Sequence, residues 1–373
     1  MLYNKIDKLC IKIRFWRLYS LGNFKLSRDI AIDLGSSKTL VHVEDMGIVL
    51  REPSVVAIDK NTDKIVSVGT EAYQKQGRSS EDIDTVRPLE DGRITKYEET
   101  MRMLEYFVHR ACGKTLLPPR VMIVVPSAIT EVEERAIMDA AAEAGARKTF
   151  LVQEAIAAAI GAGININTPI GNMIVNIGGG VTEVAVISLG GIVVSKTIPV
   201  GGDHFDIALA QYVREHYGVL IGERSAEELK KCVGCVFEHR EARIEKVKGR
   251  DLNSGMPKLI SFSSKNYLEA VCRPITAIFD AICEVIEQIP PELVGDILHN
   301  GICFVGGGSL IAGLDRLAEK VLKIRAHVAD TPDECVVKGA AKRFEKYNTV
   351  SDGCFRVSKK KKNEQQNTDQ EEQ

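Results

Sequence analysis

At 373 residues, 45% of them hydrophobic and 27% charged, the chain is long enough for two domains with real cores and has the composition of a soluble globular protein. A formal net charge of −2 gives no overall positive field to draw in nucleic acid, and no run reaches the ~18 apolar residues that a membrane span needs. Nine scattered cysteines, odd in number, read as free thiols in a reducing cytoplasm rather than a disulfide framework.

Residues 1–28 stand apart, with seven Lys and Arg against Asp7 alone, a net charge of +6. Leu2, Ile6, Leu9, Ile13 and Trp16 recur at helical spacing as one apolar stripe, and Lys5, Lys8 and Lys12 fall off it. A basic amphipathic helix with Trp on its apolar side is expected to lie on a membrane surface. Charges interrupt every apolar run, so the segment does not read as a secretory signal. A helix docked on its own protein, or a transit peptide, are the alternatives.

A first hairpin is expected over 29–43: a strand ends at Asp33, Gly35 follows, then the small hydroxyl residues Ser36 and Ser37, then another strand. Short strands follow at 47–58 and 64–68, then a helix at 97–110 with Met101, Leu104, Phe107 and Val108 on one face. Gly113, Lys114 and Thr115 imitate the end of a P-loop, but Val108 stands where that loop needs Gly, which rules it out. Leu116 and Leu117 precede two prolines at a loop tip, and 121–125 is a buried strand. Thr130 and Glu133 form a capping box for a helix ending at Gly145. A strand at 150–152 leads into a small-residue helix at 153–161, suited to close packing between two halves.

At 172–188 two β-branched runs flank Gly178, Gly179 and Gly180. This second hairpin has a turn stripped of side chains, whose bare N–H groups can cradle a phosphate. One such turn could be an ordinary hairpin. Two in one chain suggest an internal duplication with a nucleotide held between the halves. Two strands follow at 190–200, then Gly201, Gly202 and Asp203 open a helix that closes at Gly218, and another opens at 225–231. Cys232 and Cys235 make a lone C-x-x-C without the second pair that a zinc site needs. The stretch 246–262 is polar and strand-like, and 268–288 reads as one long helix, apolar at Val271, Ile275, Ile278, Ile282, Val285 and Ile289. A buried strand at 302–305 runs into Gly306, Gly307, Gly308 and Ser309 and a helix to Leu322; glycines there would let a planar group approach the backbone. A last helix is expected at 336–346, and the polar stretch 351–373 reads as a disordered tail.

Taken together, these pieces resemble the actin superfamily and, within it, the MreB/Mbl family of bacterial actins, over about 29–350. Residues 32–35 are similar to the first phosphate loop, 176–182 to the second, and 305–309 to the adenosine motif. Residues 153–163 and 337–341 match the two connecting helices, and 52–56, 200–203, 221–224, 249–252 and 290–293 are similar to stretches particular to MreB. The resemblance implies an α/β, actin-like fold: two similar lobes, each a mixed sheet with flanking helices, around a nucleotide cleft. Domain I would span 29–165, with a small subdomain at about 52–97, and be completed by a helix at 333–348. Domain II would span 166–332, with a small subdomain at about 204–263.

The resemblance also implies the cofactors ATP and Mg²⁺ and a role for each site residue. Asp33 would orient water on Mg²⁺, with Asn176 a weak second contact through water. Gly35, Ser36 and Ser37 would meet the phosphates on one side, and Gly178, Gly179, Gly180 and Thr182 on the other. Glu154 would hold or deprotonate the attacking water. Glu227 and Lys230 would flank the adenine and ribose, with Gly306, Gly307, Gly308 and Ser309 against the base and α-phosphate. The expected partners are the chain itself, in paired filaments, the inner face of the cytoplasmic membrane, and the cell-wall synthesis machinery in shape control. Leu2, Ile6, Leu9, Ile13, Trp16, Leu116 and Leu117 would make the membrane contact. Departures from the family pattern are Asn176 where Asp is usual, Lys38 for Asn, Ala155 for Pro and Pro199 for Arg. Loss of the charge at Asn176 leaves open a filament protein that binds nucleotide with weak hydrolysis or none.

Overall fold

The structure is a computed structural model that describes residues 27–77, 82–113, 115, 117–237 and 242–347. Leu2, Ile6, Leu9, Ile13, Trp16, Leu116 and the tail 351–373 lie outside the described residues.

Two five-stranded sheets dominate, and they have the same topology. In the first, β1 (Asp29–Leu34), β2 (Lys38–Val43) and β3 (Gly47–Pro53) form an antiparallel meander, while β4 (Arg120–Val125) and β5 (Lys148–Gln153) lie parallel beyond β1. In the second, β6 (Asn172–Ile177), β7 (Thr182–Ser188) and β8 (Gly191–Ile198) repeat the meander, and β9 (Ile302–Val305) and β10 (Ala326–Val328) repeat the parallel pair. The orders are β5-β4-β1-β2-β3 and β10-β9-β6-β7-β8. The duplication read from two glycine turns thus extends over both whole sheets.

Each sheet is apolar on both faces because it is covered on both. Alternation along the strands sorts side chains between two cores. In the first lobe Ile30, Ile32, Val121 and Ile123 face an outer core with Leu104 and Phe107. Ala31, Met122, Val124 and Phe150 face inward to a core shared with Ile174, Ala185, Cys303 and Val305 of the second lobe. Met173, Val175 and Phe304 face that lobe's own outer core.

Smaller elements complete each lobe. Strands Val56–Asp59, Lys64–Val68 and Ile83–Val86 form a three-stranded sheet with α1 (Thr70–Lys75) packed on it. Between the large sheets run α2 (Glu154–Gly161) and, at the end of the described chain, a partner helix, Cys335–Tyr347. The second lobe adds α3 (Gly202–Tyr217), α4 (Glu223–Val233) and a sheet of Val219–Leu220, Ile244–Asp251 and Pro257–Ser263. The Cys335–Tyr347 helix is α5.

The contact of α2 with α5 explains their small residues. A Cβ on Gly161 would lie 1.8 Å from the Cys335 carbonyl oxygen, and one on Gly339 would lie 1.7 Å from that of Ala157. Ala157, Ala158 and Ala159 are fully buried in the same seam. The backbones touch, and no other residue type fits at Gly161 or Gly339.

Several expectations change. The single helix expected over 268–288 is two, Ser264–Ala270 and Cys272–Gln288. Pro274 has no N–H to give the Ala270 carbonyl, so the ladder breaks although the apolar spacing runs on through Val271. The polar stretch 246–262 is an antiparallel hairpin. After Gly306 the chain makes a 3₁₀ turn, Gly307–Leu310, before the helix Leu314–Leu322. Helices α1 and Pro291–Asn300 were not foreseen. The capping box is present: Glu133 N donates to Thr130 Oγ1 at 3.3 Å, and Thr130 N donates to Glu133 Oε2 at 2.9 Å.

Candidate functional site

The duplication places two polar residues at equivalent positions, one before each glycine turn: Asp33 on β1, paired with Leu40, and Asn176 on β6, paired with Glu183. The turns are built alike. A Cβ on Gly35 would lie 2.8 Å from the Lys38 carbonyl oxygen, and one on Gly178 would lie 3.1 Å from that of Val181. Ser54 Oγ donates to Gly35 O at 2.6 Å, and Gly92 N donates to Ser36 Oγ at 3.0 Å, which together prop the first turn. The second is tied to the start of α3, where Gly202 N and Asp203 N donate to the carbonyls of Gly178 and Gly179, each at 2.9 Å.

The two turns abut. A Cβ on Gly179 would stand 2.4 Å from the Ser37 Cβ, and one on Gly180 would stand 3.2 Å from the Asp91 backbone. Gly306, at φ +85°, lies under the end of β6, where a Cβ would come 2.5 Å from Asn176 Oδ1; Gly307 faces open space but for Asp333 Cβ at 4.0 Å. Thr182 Oγ1 donates to Val200 O at 2.6 Å and Ser309 Oγ to Val305 O at 2.5 Å, so both hydroxyls anchor backbone.

Glu154 opens α2, with its carboxylate at a helix N-terminus. Asn176 Nδ2 donates to Glu154 Oε1 at 2.5 Å. Behind them Glu183, 1% exposed, accepts from Ser127 N at 3.3 Å with Oε1, while Oε2 has no partner. Buried Asn176 Oδ1 also lacks one. Burial, then repulsion from Glu154, pushes Asp33 up to about 8 against the pull of Lys38. Burial, then Glu154, pushes Glu183 up to about 8. Burial raises Glu154 as well, against the hydrogen bond from Asn176. Three crowded acids and two orphaned buried oxygens suit a cation with hard oxygen ligands. Asp33 and Asn176 offer such oxygens, so these residues fit a hydrated Mg²⁺, which would supply charge neutralisation at a polyphosphate.

Glu183 is the functional candidate that sequence reasoning missed. Its signal was there: a single charge in the otherwise apolar run of β7, where β2 has Leu40. That it faces Glu154 depends on the packing of α2.

The expected base and ribose residues lie on α4. Lys230 Nζ turns away to Asp206 Oδ2 at 2.6 Å and Gly202 O at 2.8 Å. Burial raises Asp206 to about 6, with Lys230 opposing. Glu227 Oε2 accepts from the Tyr73 hydroxyl at 2.8 Å and Oε1 from Lys231 Nζ at 2.7 Å. Burial opposes its ionisation, but those bonds outweigh it and hold the acid below its ordinary range. Burial, then the bond to Glu227, raises Tyr73 to about 12.

Leu117 is exposed, in the loop whose Pro118 carbonyl accepts from Ser27 Oγ at 3.0 Å, so this loop lies beside the start of the described chain. Cys235 is buried with Sγ donating to Phe237 O at 2.9 Å, and Cys232 is exposed. Among the described residues no group of three or more His, Cys, Asp or Glu could hold a metal by itself, and no helix is long and apolar enough to cross a membrane.

A family model described as MreB/Mbl protein matches residues 27–352. The cell shape-determining protein Mbl of Bacillus subtilis is 45% identical over 314 residues, covering 84% of this chain and 94% of its own length. The cell shape-determining protein MreB of Escherichia coli is 43% identical over 325 residues, with 86% and 94% covered. The crystal structure of Spiroplasma citri MreB5 bound to AMPPNP superposes with a TM-score of 0.83 at 36% identity, covering 87% of this chain and 98% of that one. A MamK double helical filament gives 0.73 at 22% identity, over 86% and 99%, a likeness of fold alone.

Proposed function

This chain belongs to the MreB/Mbl family of actin-like, cell shape-determining cytoskeletal proteins, and from that premise we propose that it binds ATP with Mg²⁺ between its lobes and assembles into filaments on the inner face of the cytoplasmic membrane. Those filaments guide the cell-wall synthesis machinery. The observation that carries this reading is the meeting of two duplicated glycine turns beside Asp33, Asn176 and Glu154. The AMPPNP and ADP held by MreB5 support the nucleotide part of it. In this reading domain I is 29–165 completed by 333–348, and domain II is 166–332. Backbone N–H groups of both turns hold the phosphates, and Glu154 orients the attacking water or takes its proton.

A second reading is a filament protein with weak hydrolysis or none. It is favoured by the Asn176 amide, which occupies Glu154 Oε1, an acceptor that water would otherwise use. Phosphate release from assembled protein separates the two. Glu154→Ala should keep ATP binding and lose most release, on the order of 10²-fold, the usual worth of a positioned base. An unchanged rate removes Glu154 from the chemistry. Electron microscopy on lipid with ATP, with ADP and without nucleotide tests filament formation directly.

A further inference from the structure

Apart from the Asn176–Glu154 and Ser127–Glu183 bonds deep in the cleft, three polar pairs among the described residues reach from one lobe to the other. The Tyr73 hydroxyl, on α1, donates to Glu227 Oε2 on α4 at 2.8 Å. Gln76 Nε2, just past α1, donates to Glu223 Oε2 at 3.1 Å. Arg87 Nη1 reaches Asp203 Oδ2, in the first turn of α3, at 3.4 Å. All three run from the segment 73–87 of one lobe to helices of the other, so they exist only while the cleft is closed.

They are not equal. The Gln76 pair is exposed, and the Arg87 pair is long and partly solvated, so each contributes little. The Tyr73 bond is partly buried and has an ionised acceptor, which makes it the strongest. The Tyr73 ring packs on Val55, Ala57 and Ala72, so its hydroxyl is aimed by a held ring. Lys231 holds the other oxygen of Glu227. A carboxylate oxygen has two lone pairs. Each oxygen of Glu227 therefore keeps one free, a spacing suited to the adjacent 2′ and 3′ hydroxyls of a ribose.

We propose that Tyr73 is a positioning residue for the nucleotide: its hydroxyl sets Glu227 for the ribose and, by the same bond, latches the cleft, so that release waits on its opening. This rests on the reading that a nucleotide lies in the cleft with Glu227 beside its ribose.

The test uses the full chain and etheno-ADP, whose label sits on the base and leaves the ribose free. Tyr73→Phe removes one hydroxyl and keeps the packed ring. It should speed etheno-ADP release and weaken binding by roughly three- to tenfold, the worth of a partly solvated hydrogen bond to a charged group. Tyr212→Phe is the control: the Tyr212 hydroxyl also bonds a carboxylate, Glu269 Oε2 at 2.6 Å, but within one lobe. It should leave release unchanged. Melting without nucleotide should fall by a similar small amount in the two variants, since each loses one hydroxyl bond to a carboxylate. Competition with ADP and with 2′,3′-dideoxy-ADP supplies a readout that a structural role would not move. The Tyr73→Phe penalty should be clearly larger for ADP than for the dideoxy compound, for which only the latch is lost. If the parent binds etheno-ADP and Tyr73→Phe releases it at the parent rate, the inference falls. An equal penalty for both competitors also overturns it, because Tyr73 then does not act through the ribose. If the parent does not bind etheno-ADP at all, the nucleotide reading itself falls, and this inference with it.

Discussion

At the scale of single residues, the acids around Asn176 dominate. Glu183 is almost fully buried and is raised from 4.5 to about 8. A raised carboxyl means that folding takes up a proton between those values. Its stabilising share is therefore complete below about 4.5, declines as pH climbs, and is gone above about 8. Nucleotide-free protein should thus melt at lower temperature at pH 8.5 than at pH 6, and Glu183→Gln should flatten the decline. Each tenfold change in proton affinity is worth about 1.4 kcal/mol, within reach of a melting series. A parallel decline in the variant would place the effect elsewhere. Asn176→Asp acts on the same cluster from the other side. It removes the amide that holds Glu154 and adds an anion where charge count tunes affinity for a divalent ion. Phosphate release should rise and depend more steeply on Mg²⁺; a flat or lower rate would put Asn176 outside the metal's surroundings.

At the scale of elements, the seam of α2 and α5 is the most constrained. Gly339→Ala would drive a methyl into the Ala157 carbonyl, and backbone cannot change rotamer to relieve it. Overpacking of a flexible core costs about 1–3 kcal/mol, so this variant should lose about 3 kcal/mol or more, read as a lower urea midpoint. A near-neutral result would mean that the helices can slide apart. What was legible in sequence divides at this scale. Both hairpins were readable because glycine punctuates them, and α2 because its alanines are consecutive. Helix α1 was not, because its start is held from afar: Gly69 offers no side-chain cap, and Thr70 N donates to Glu52 Oε2, 18 residues earlier. The break near Pro274 was hidden by apolar spacing that continues across it. In the site, the turns and Glu154 were legible as local pattern, whereas the pairing of Glu227 with Tyr73 spans 154 residues and has no local trace.

At the scale of the whole molecule, two copies of one sheet share an inner core, and the described chain begins beside the exposed Leu117 loop. The proposed membrane contact through residues 1–28 and this loop is tested by spectroscopy. Each Lys or Arg near an anionic leaflet contributes ~1 kcal/mol before screening. Trp16 is the only tryptophan, so its emission should shift to the blue with anionic vesicles, and high salt should weaken the shift. Removing residues 1–20 should leave ATP binding intact. If the protein sediments with vesicles while Trp16 emission stays put, the leucine loop carries attachment instead. The seam of Gly161 and Gly339 has a mechanical consequence as well. With no side chain between them, the two backbones lie in direct contact and resist sliding. Force that parts the lobes is then borne by bonds away from that seam, such as the pairs made by Tyr73, Gln76 and Arg87. Tyr73 belongs to a separate buried cluster from the helix pair. Its bond to Glu227 must therefore break before the lobes can part, although it touches nothing in the seam itself.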